Sequence, residues 1–288
     1  MSTLYQSMRR VFKGVSWQSK YVKPIIFALD GPDWAMRKAN GLDYLPKYSV
    51  RVRSDGVTSQ LGGSKFDYFG GVTAQLLSDR AQLTPSSKVL EIGCGCGRTA
   101  IALTNILEKS GYTGVDIDQP SIQACQENKL LQENGFTFQH IDVQNAMYNP
   151  QGQKDSTAYR FSFEDESMDV IFLISVFTHM LREEVTHYIN EISRLLKPGG
   201  RCLMSTFLLD YGYTGKGVSF PYERDGYRLH DEAMPEKVVG YPQLFFEQSF
   251  TAANMSLQSC AFGDWRDFAI DEPLIDFGQD ILVFEKKL

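Results

Sequence analysis

Ten consecutive residues constrain this chain more than any others: Val89-Leu90-Glu91-Ile92-Gly93-Cys94-Gly95-Cys96-Gly97-Arg98. An apolar run suited to a buried parallel strand ends at Glu91 and passes into a turn with glycine at every second position. A helical pattern follows, with Ala100, Leu103, Ile106 and Leu107 on one side. Glycine lets a backbone take dihedrals that other residues avoid and lets a ligand approach the main chain, while a helix start offers free N–H groups. The stretch therefore predicts a polar ligand on a strand–turn–helix corner, the alternative being a glycine-rich corner that holds nothing.

Spacing narrows the ligand. A dinucleotide fingerprint needs its third glycine three residues after its second, and that position is Arg98. The phosphate loop ending in Gly-Lys-Ser/Thr is also absent, because Arg98-Thr99 follows without a lysine. Glu91-x-Gly93-x-Gly95-x-Gly97 resembles the first motif of the class I S-adenosylmethionine-dependent methyltransferases, including the acid two residues before the first glycine. The resemblance implies S-adenosyl-L-methionine as cofactor and S-adenosyl-L-homocysteine as product, with Glu91, Gly93, Cys94, Gly95 and Gly97 around it. It also implies an α/β fold: a doubly wound, mostly parallel seven-stranded sheet with an antiparallel C-terminal strand.

Tyr112 to Asp116 reads as a second short strand ending in a carboxylate, with Ile117 beside it. Its separation from the glycine turn is roughly the 20 residues expected between a phosphate turn and a ribose-binding acid, which puts Asp116 at the carboxyl edge of the neighbouring strand. A carboxylate there can accept both ribose hydroxyl protons, each bond to a charged group being worth about 1.5–3 kcal/mol. Asp118 shares that work or caps the helix that Pro120 and Ser121 begin. A calcium loop is excluded, because glycine and glutamate are missing from its sixth and twelfth positions. Phe136 to Val143 reads as a third strand. The resemblance places Asp142 on the exocyclic amine of the adenine and the Val143 N–H on a ring nitrogen; the alternative is an aspartate that caps a turn.

Ser167 to Met180 carries the long apolar run of a fourth strand buried on both faces. Ligands of open α/β sheets bind outside the carboxyl ends of the strands, so Ser175 is expected on the cofactor and Thr178 and His179 on the acceptor. The Asn/Asp-Pro-Pro-aromatic signature of enzymes that methylate amino groups of nucleic-acid bases or glutamine is absent. Arg182 to Leu196 is helical in period and stops at Lys197-Pro198-Gly199-Gly200, a further family hallmark, before a fifth strand over Arg201 to Leu208. The glycine- and tyrosine-rich stretch 210–240 reads as a long loop, either a substrate lid contributing Tyr213 or a structural insertion. A helix over Pro242 to Met255 and a hairpin of strands at Leu257–Phe262 and Gln279–Glu285 close the pattern, and the hairpin connection brings Trp265 toward the acceptor.

Residues 1–60 carry no such motif and read as a helical extension, leaving 61–288 as the cofactor-binding domain with its insertion at 210–240. The Gly-Gly pairs at 62–63 and 70–71 precede a helical pattern through Leu76 and Leu77, a position that covers the cofactor in the resembled family or is an ordinary turn. The formal net charge is −6 and the pI is near 5.3. This balance argues against a broad nucleic-acid or anionic-membrane footprint and favours a small or neutral substrate. Nothing reaches the roughly 18 apolar residues of a membrane span, so the chain reads as cytoplasmic, with its five cysteines reduced and no metal expected. No oligomeric state follows from the sequence.

A hydroxyl acceptor must lose a proton, and His179 is the candidate base because its ring titrates near neutral pH. A carboxylate acceptor needs no base. His140 and His187 read as structural, and His230 lies in the insertion. The expected activity is methyl transfer to a small molecule, foremost O-methylation in specialised metabolism. The competing readings are N- or C-methylation, aminopropyl transfer and a non-catalytic nucleoside-binding protein.

Overall fold

The computed structural model describes residues 19–55, 59–272 and 274–288. Residues 1–18 and 56–58 of the expected extension lie outside the described residues. The chain divides into two compact units, one holding the residues up to Leu76 with Cys94–His140, the other Leu77–Gly93 with Ile141–Leu288.

The first unit opens with α1 (Lys23–Ala28), α2 (Asp30–Ala39) and α3 (Tyr48–Asp55). Pro24 sits in the first turn of α1, where its missing N–H costs nothing. In α2, Asp30 and Asp33 occupy the first turn and Arg37 and Lys38 the last, matching the helix dipole. Val22, Ile26, Tyr48 and Val52 pack as a small core beneath these helices. The next helix, α4 (Ser64–Arg80), runs through Gly70-Gly71 rather than starting after them. Gly70 has a packing reason: a Cβ there would stand 2.5 Å from the Arg98 carbonyl oxygen.

The chain then forms β1 (Val89–Ile92) of the second unit and returns through the glycine turn to α5 (Arg98–Leu103), β2 (Tyr112–Asp116), α6 (Gln119–Glu127), α7 (Lys129–Glu133) and β3 (Thr137–His140). Strands β2 and β3 are parallel, with Asp116 opposite His140. Helix α5 stops before Ile106 and Leu107, which the period had placed on its face. The Thr104 N–H and hydroxyl both bond the Ile101 carbonyl, the latter at 2.7 Å, and this tight closure ends the helix. Strand β3 ends two residues short of Asp142.

In the second unit β4 (Met168–Leu173) is shorter than the apolar run suggested. Ser175 takes φ +59 and breaks the extended backbone, and a 3₁₀ turn, Phe177–His179, follows. Helix α8 (Arg182–Leu195) buries Val185, Ile189 and Ile192. The Lys-Pro-Gly-Gly segment is the start of β5 (Leu196–Thr206) rather than a turn before it. Gly199 at φ +77 and a bulge between Met168 and Val170 absorb the irregularity.

The stretch 210–240 is not a loop. It folds as the pair β6 (Thr214–Gly215) and β7 (Val218–Ser219), then as a three-stranded sheet of β8 (Tyr222–Arg224), β9 (Tyr227–Leu229) and β10 (Val239–Gly240). Its aromatics supply the packing: Phe220 joins Phe207, Leu209 and Trp265 in a core, and Tyr227 stacks on Tyr241. The chain ends with α9 (Gln243–Ala252), β11 (Met255–Gly263), β12 (Leu274–Ile275) and β13 (Asp280–Lys286).

The strands of this unit run in the order β12-β11-β13-β5-β4-β1. Strands β1, β4 and β5 are parallel, and β13 is antiparallel to both β5 and β11. The α/β architecture with an antiparallel C-terminal strand is thus as expected, with the two-residue β12 added at the edge. Ile171, Leu203 and Phe284 are fully buried at its centre, and Phe250 of α9 stacks on Phe284 at 3.9 Å.

Candidate functional site

In the first unit the glycine turn and the end of β2 meet. The Cys94 N–H donates to the Val115 carbonyl at 3.1 Å, fixing the turn to the strand. Gly114 lets this happen, because a Cβ there would stand 2.9 Å from the Cys94 side chain. Asp116 is pinned by two backbone donors: Gly95 N–H to Oδ2 at 2.6 Å and Asp118 N–H to Oδ1 at 2.8 Å. The Ile117 backbone adds a further hydrogen bond, and a carboxylate, with about four lone-pair sites, keeps acceptor capacity beyond these three. Burial pushes the Asp116 carboxyl up to about 6, against the downward pull of those N–H groups.

Gly95 and Gly97 have φ of +51 and +83, dihedrals that side chains other than glycine's avoid. The Ile117 carbonyl accepts the His140 Nε2 proton at 3.1 Å, giving His140 the structural role expected of it. Asp118 does cap α6, accepting from Ser121 N at 3.2 Å and Ser121 Oγ at 2.5 Å. It also takes both ends of the Arg53 guanidinium, with Nε at 2.6 Å. Arg53 and its neighbour Ser54 bring α3 onto the turn: Ser54 Oγ is 3.6 Å from Cys96 Sγ and 2.5 Å from where a Gly95 Cβ would be. No motif marked these two residues. Their signal was only a basic and a small polar residue at a helix end.

In the second unit Glu91 is buried in β1 opposite Phe172. Gly93, at φ +79, admits the Val176 side chain: a Cβ would lie 2.4 Å from Val176 Cγ2. Asp142 is followed by a parallel bridge between Val143 and Lys154, made by Lys154 N–H to Asp142 O and Gln144 N–H to Lys154 O. Such a bridge uses the groups that flank Val143, so the Val143 N–H points to the opposite side. Asn149 Nδ2 ties the turn together by donating to Asp142 Oδ1 and to the Val143 carbonyl, at 3.2 and 3.0 Å.

At the end of β4, Ser175 keeps its left-handed backbone through a hydroxyl network. Its N–H donates to Ser205 Oγ at 2.8 Å, and both hydroxyls donate to Gln279 Oε1, at 3.0 and 2.6 Å. A left-handed non-glycine residue stores roughly 1–3 kcal/mol, and such strain concentrates at working sites. Thr178 is fully buried and its hydroxyl has no partner among the described residues.

Two segments converge on His179. Its Nδ1 is 3.2 Å from the Glu236 carbonyl, Asn145 Nδ2 donates to the His179 carbonyl at 3.3 Å, and the Tyr148 ring meets the His179 ring edge-on at 5.5 Å. A carbonyl only accepts, so Nδ1 carries the proton and Nε2 holds the lone pair. Burial lowers the His179 pKa, outweighing the pull of the Glu236 and Lys237 backbone, so the ring is neutral at pH 7. His187 and His230 likewise bond carbonyls, of Tyr159 at 2.7 Å and Ser219 at 2.8 Å.

Two residues expected at the acceptor have partners of their own. Trp265 is a core residue, 3% exposed, with its Nε1–H donated to Asp280 at 2.9 Å; the hairpin connection folds inward because buried Asp280 draws it in. Tyr213 is exposed just before β6 with the Arg228 guanidinium 4.2 Å from its ring centre.

Residues 90–202 match the family model described as a methyltransferase domain. Over 119 residues the chain is 32% identical to phthiotriol/phenolphthiotriol dimycocerosates methyltransferase 1 of Mycobacterium ulcerans, covering 40% of this chain and 36% of that protein. Over 144 residues it is 32% identical to a tRNA N(3)-cytidine methyltransferase of Gallus gallus, covering 48% and 34%. The matched stretch thus spans about a third of each relative. Among solved structures, a Pyrococcus horikoshii protein superposes with a TM-score of 0.53 at 18% identity over 78% of this chain and 92% of that one. The [4+2]-cyclase SpnF gives 0.52 at 15% identity over 76% and 82%. At such identities the superpositions speak for the fold alone, and a cyclase among them shows that the fold does not dictate one reaction.

Proposed function

We propose that this chain, whose residues 90–202 match a methyltransferase domain, is a class I S-adenosylmethionine-dependent methyltransferase that moves a methyl group from S-adenosylmethionine to a hydroxyl of a small-molecule acceptor. The observation that carries the cofactor assignment is Asp116, held by backbone N–H groups of the glycine turn and of its own strand end with acceptor capacity left over. The cofactor supplies a methyl group on a sulfonium, already a good leaving group. Asp116 takes the ribose hydroxyls. Asp142 and the outward Val143 N–H suit the adenine, the first accepting and the second donating.

Most of the rate can come from holding an acceptor oxygen close and aligned, so the protein's remaining task is the proton. A neutral His179 with its lone pair on Nε2 suits that task and favours a hydroxyl over a carboxylate. The acceptor classes named for two relatives, a phthiotriol dimycocerosate and a tRNA cytidine, make the natural comparison set.

Calorimetric titration with S-adenosylmethionine and S-adenosylhomocysteine tests the first half. Micromolar binding of both, with none of a nicotinamide dinucleotide, is the expected result; no binding overturns the cofactor assignment. Transfer of labelled methyl to a panel of small alcohols, carboxylic acids and tRNA tests the second. Label appearing in tRNA, or in carboxylates alone, overturns the hydroxyl reading.

A further inference from the structure

We propose that the outer face of α1 and α2 is a docking surface for an anionic lipid bilayer, on which these two helices lie flat. The proposal goes beyond methyl transfer and does not depend on it.

Helices on a protein surface bury one stripe and expose a polar one. Here the inward stripe is present, with Val22 and Ile26 packed on Tyr48 and Val52. The outward side is apolar as well. Tyr21 is 76% exposed, Ile25 47%, Phe27 59%, Trp34 56% and Met36 44%. Between Lys20 and Asn40 the other exposed positions are Pro24, Ala28, Gly31, Pro32, Ala35 and Ala39, together with three lysines. No exposed acid interrupts this face. Asp33 is fully buried, and Asp30 is turned to Ser49, accepting its N–H at 2.8 Å and its hydroxyl at 2.7 Å.

Charge says what covers such a face. The lysines are Lys20, Lys23 and Lys38, and Lys38 Nζ stands 5.8 Å from the Trp34 ring centre. Protein–protein interfaces are depleted in lysine, and a second copy would set like charges against one another. Helices lying in a bilayer interface use this combination instead: aromatic and aliphatic residues enter the headgroup boundary while lysines reach anionic headgroups. Nucleic acid fits less well, since Ile25, Met36 and the prolines read neither phosphate nor base, and no arginine is exposed along the face.

The overall charge of −6 conceals a segregation. The first 55 residues hold ten Lys and Arg against four Asp and no Glu, whereas the whole chain has 29 basic against 35 acidic residues. This face thus has a local charge that the overall balance does not reveal. No helix among the described residues is long and apolar enough to cross a membrane, so the contact is one of lying on the surface.

Co-sedimentation of the full chain with vesicles tests this, using phosphatidylcholine alone and phosphatidylcholine mixed with phosphatidylglycerol. The protein should pellet with the mixed vesicles, not with the neutral ones, and should be released by salt. Phe27→Ser with Trp34→Ser, and separately Lys20→Gln with Lys23→Gln and Lys38→Gln, should each lower the bound fraction by about tenfold or more, with thermal unfolding unchanged because every altered side chain is exposed. The proposal is overturned if the wild type does not pellet with mixed vesicles, or if both variants pellet as it does. It is also overturned if light scattering shows that the Phe27/Trp34 variant dissociates a dimer, or if the lysine variant loses tRNA binding while vesicle binding is absent.

Discussion

Asp116 is where burial and ligand chemistry oppose each other. Its carboxyl is raised from 3.8 to about 6, so protonation favours the folded state. That contribution is complete below 3.8 and is lost as pH rises through about 6. The ionised form, which accepts ribose hydroxyls best, is thus the one the free protein holds at a cost. Affinity for S-adenosylhomocysteine should fall as pH drops from about 7 to about 5, and Asp116→Asn should weaken binding by at least about tenfold at neutral pH and flatten that dependence. Calorimetry across the range checks both. His179 shifts the opposite way for the same reason, since burial disfavours its charged form. Its stabilising contribution is present above the ordinary value of 6.5 and is lost as pH falls below it. His179→Asn should leave nucleoside affinity unchanged and lower kcat by about 10²–10⁴. The wild-type acid limb should lie below pH 6.5. An unchanged kcat would remove its role as base.

At the scale of elements, the glycine turn is as much a packing device as a ligand cradle. Gly93 takes φ +79 and lets the segment after β4 close in, with Val176 Cγ2 at 2.4 Å from any added Cβ. Gly93→Ala should cost about 1–2 kcal/mol for the left-handed backbone and about 1–3 kcal/mol more for overpacking. Adding Val176→Ala should return part of the second cost and none of the first. A double-mutant cycle by denaturant unfolding separates the two. The stretch 210–240 shows another property of elements. Its strands are two or three residues long, so they persist through packing around Phe220 and Trp265 rather than through their own ladders.

For the molecule as a whole, each unit is built around a buried aspartate. In the first, burial would raise the Asp33 carboxyl, but Arg51 and Arg37 hold it below the usual range, with Arg51 Nη2 at 2.6 Å and Arg37 Nε at 2.8 Å. This stability is present above 3.8 and is lost as pH falls through the lowered value. In the second, Asp280 accepts from Leu208 N–H at 2.8 Å, Gly263 N–H at 2.9 Å, Trp265 Nε1 at 2.9 Å and both Arg266 Nη atoms at 2.8 and 3.0 Å. Asp280→Ala strips a fully buried guanidinium of its counter-charge and should destabilise the protein by about 3–5 kcal/mol in denaturant titration.

The succession of strands and helices around the glycine turn, the place of Asp116 at the end of β2 and the antiparallel closing strand are all legible in the amino-acid order. These are properties of neighbours in the chain: buried strands need apolar runs, tight turns need glycine, and a strand end delivers whatever residue stands there. Three pairings emerge only in the folded chain: Arg53 answers Asp118 across 65 positions, Glu236 fixes the His179 tautomer, and Trp265 turns into the core toward Asp280. The tertiary structure also showed the outer face of α1 and α2 to be apolar, because the hydrophobic pattern is the same whether a residue faces inward or out. Side-chain partners far apart in sequence are selected by packing and by the need to pair buried charge, and no local period records that choice.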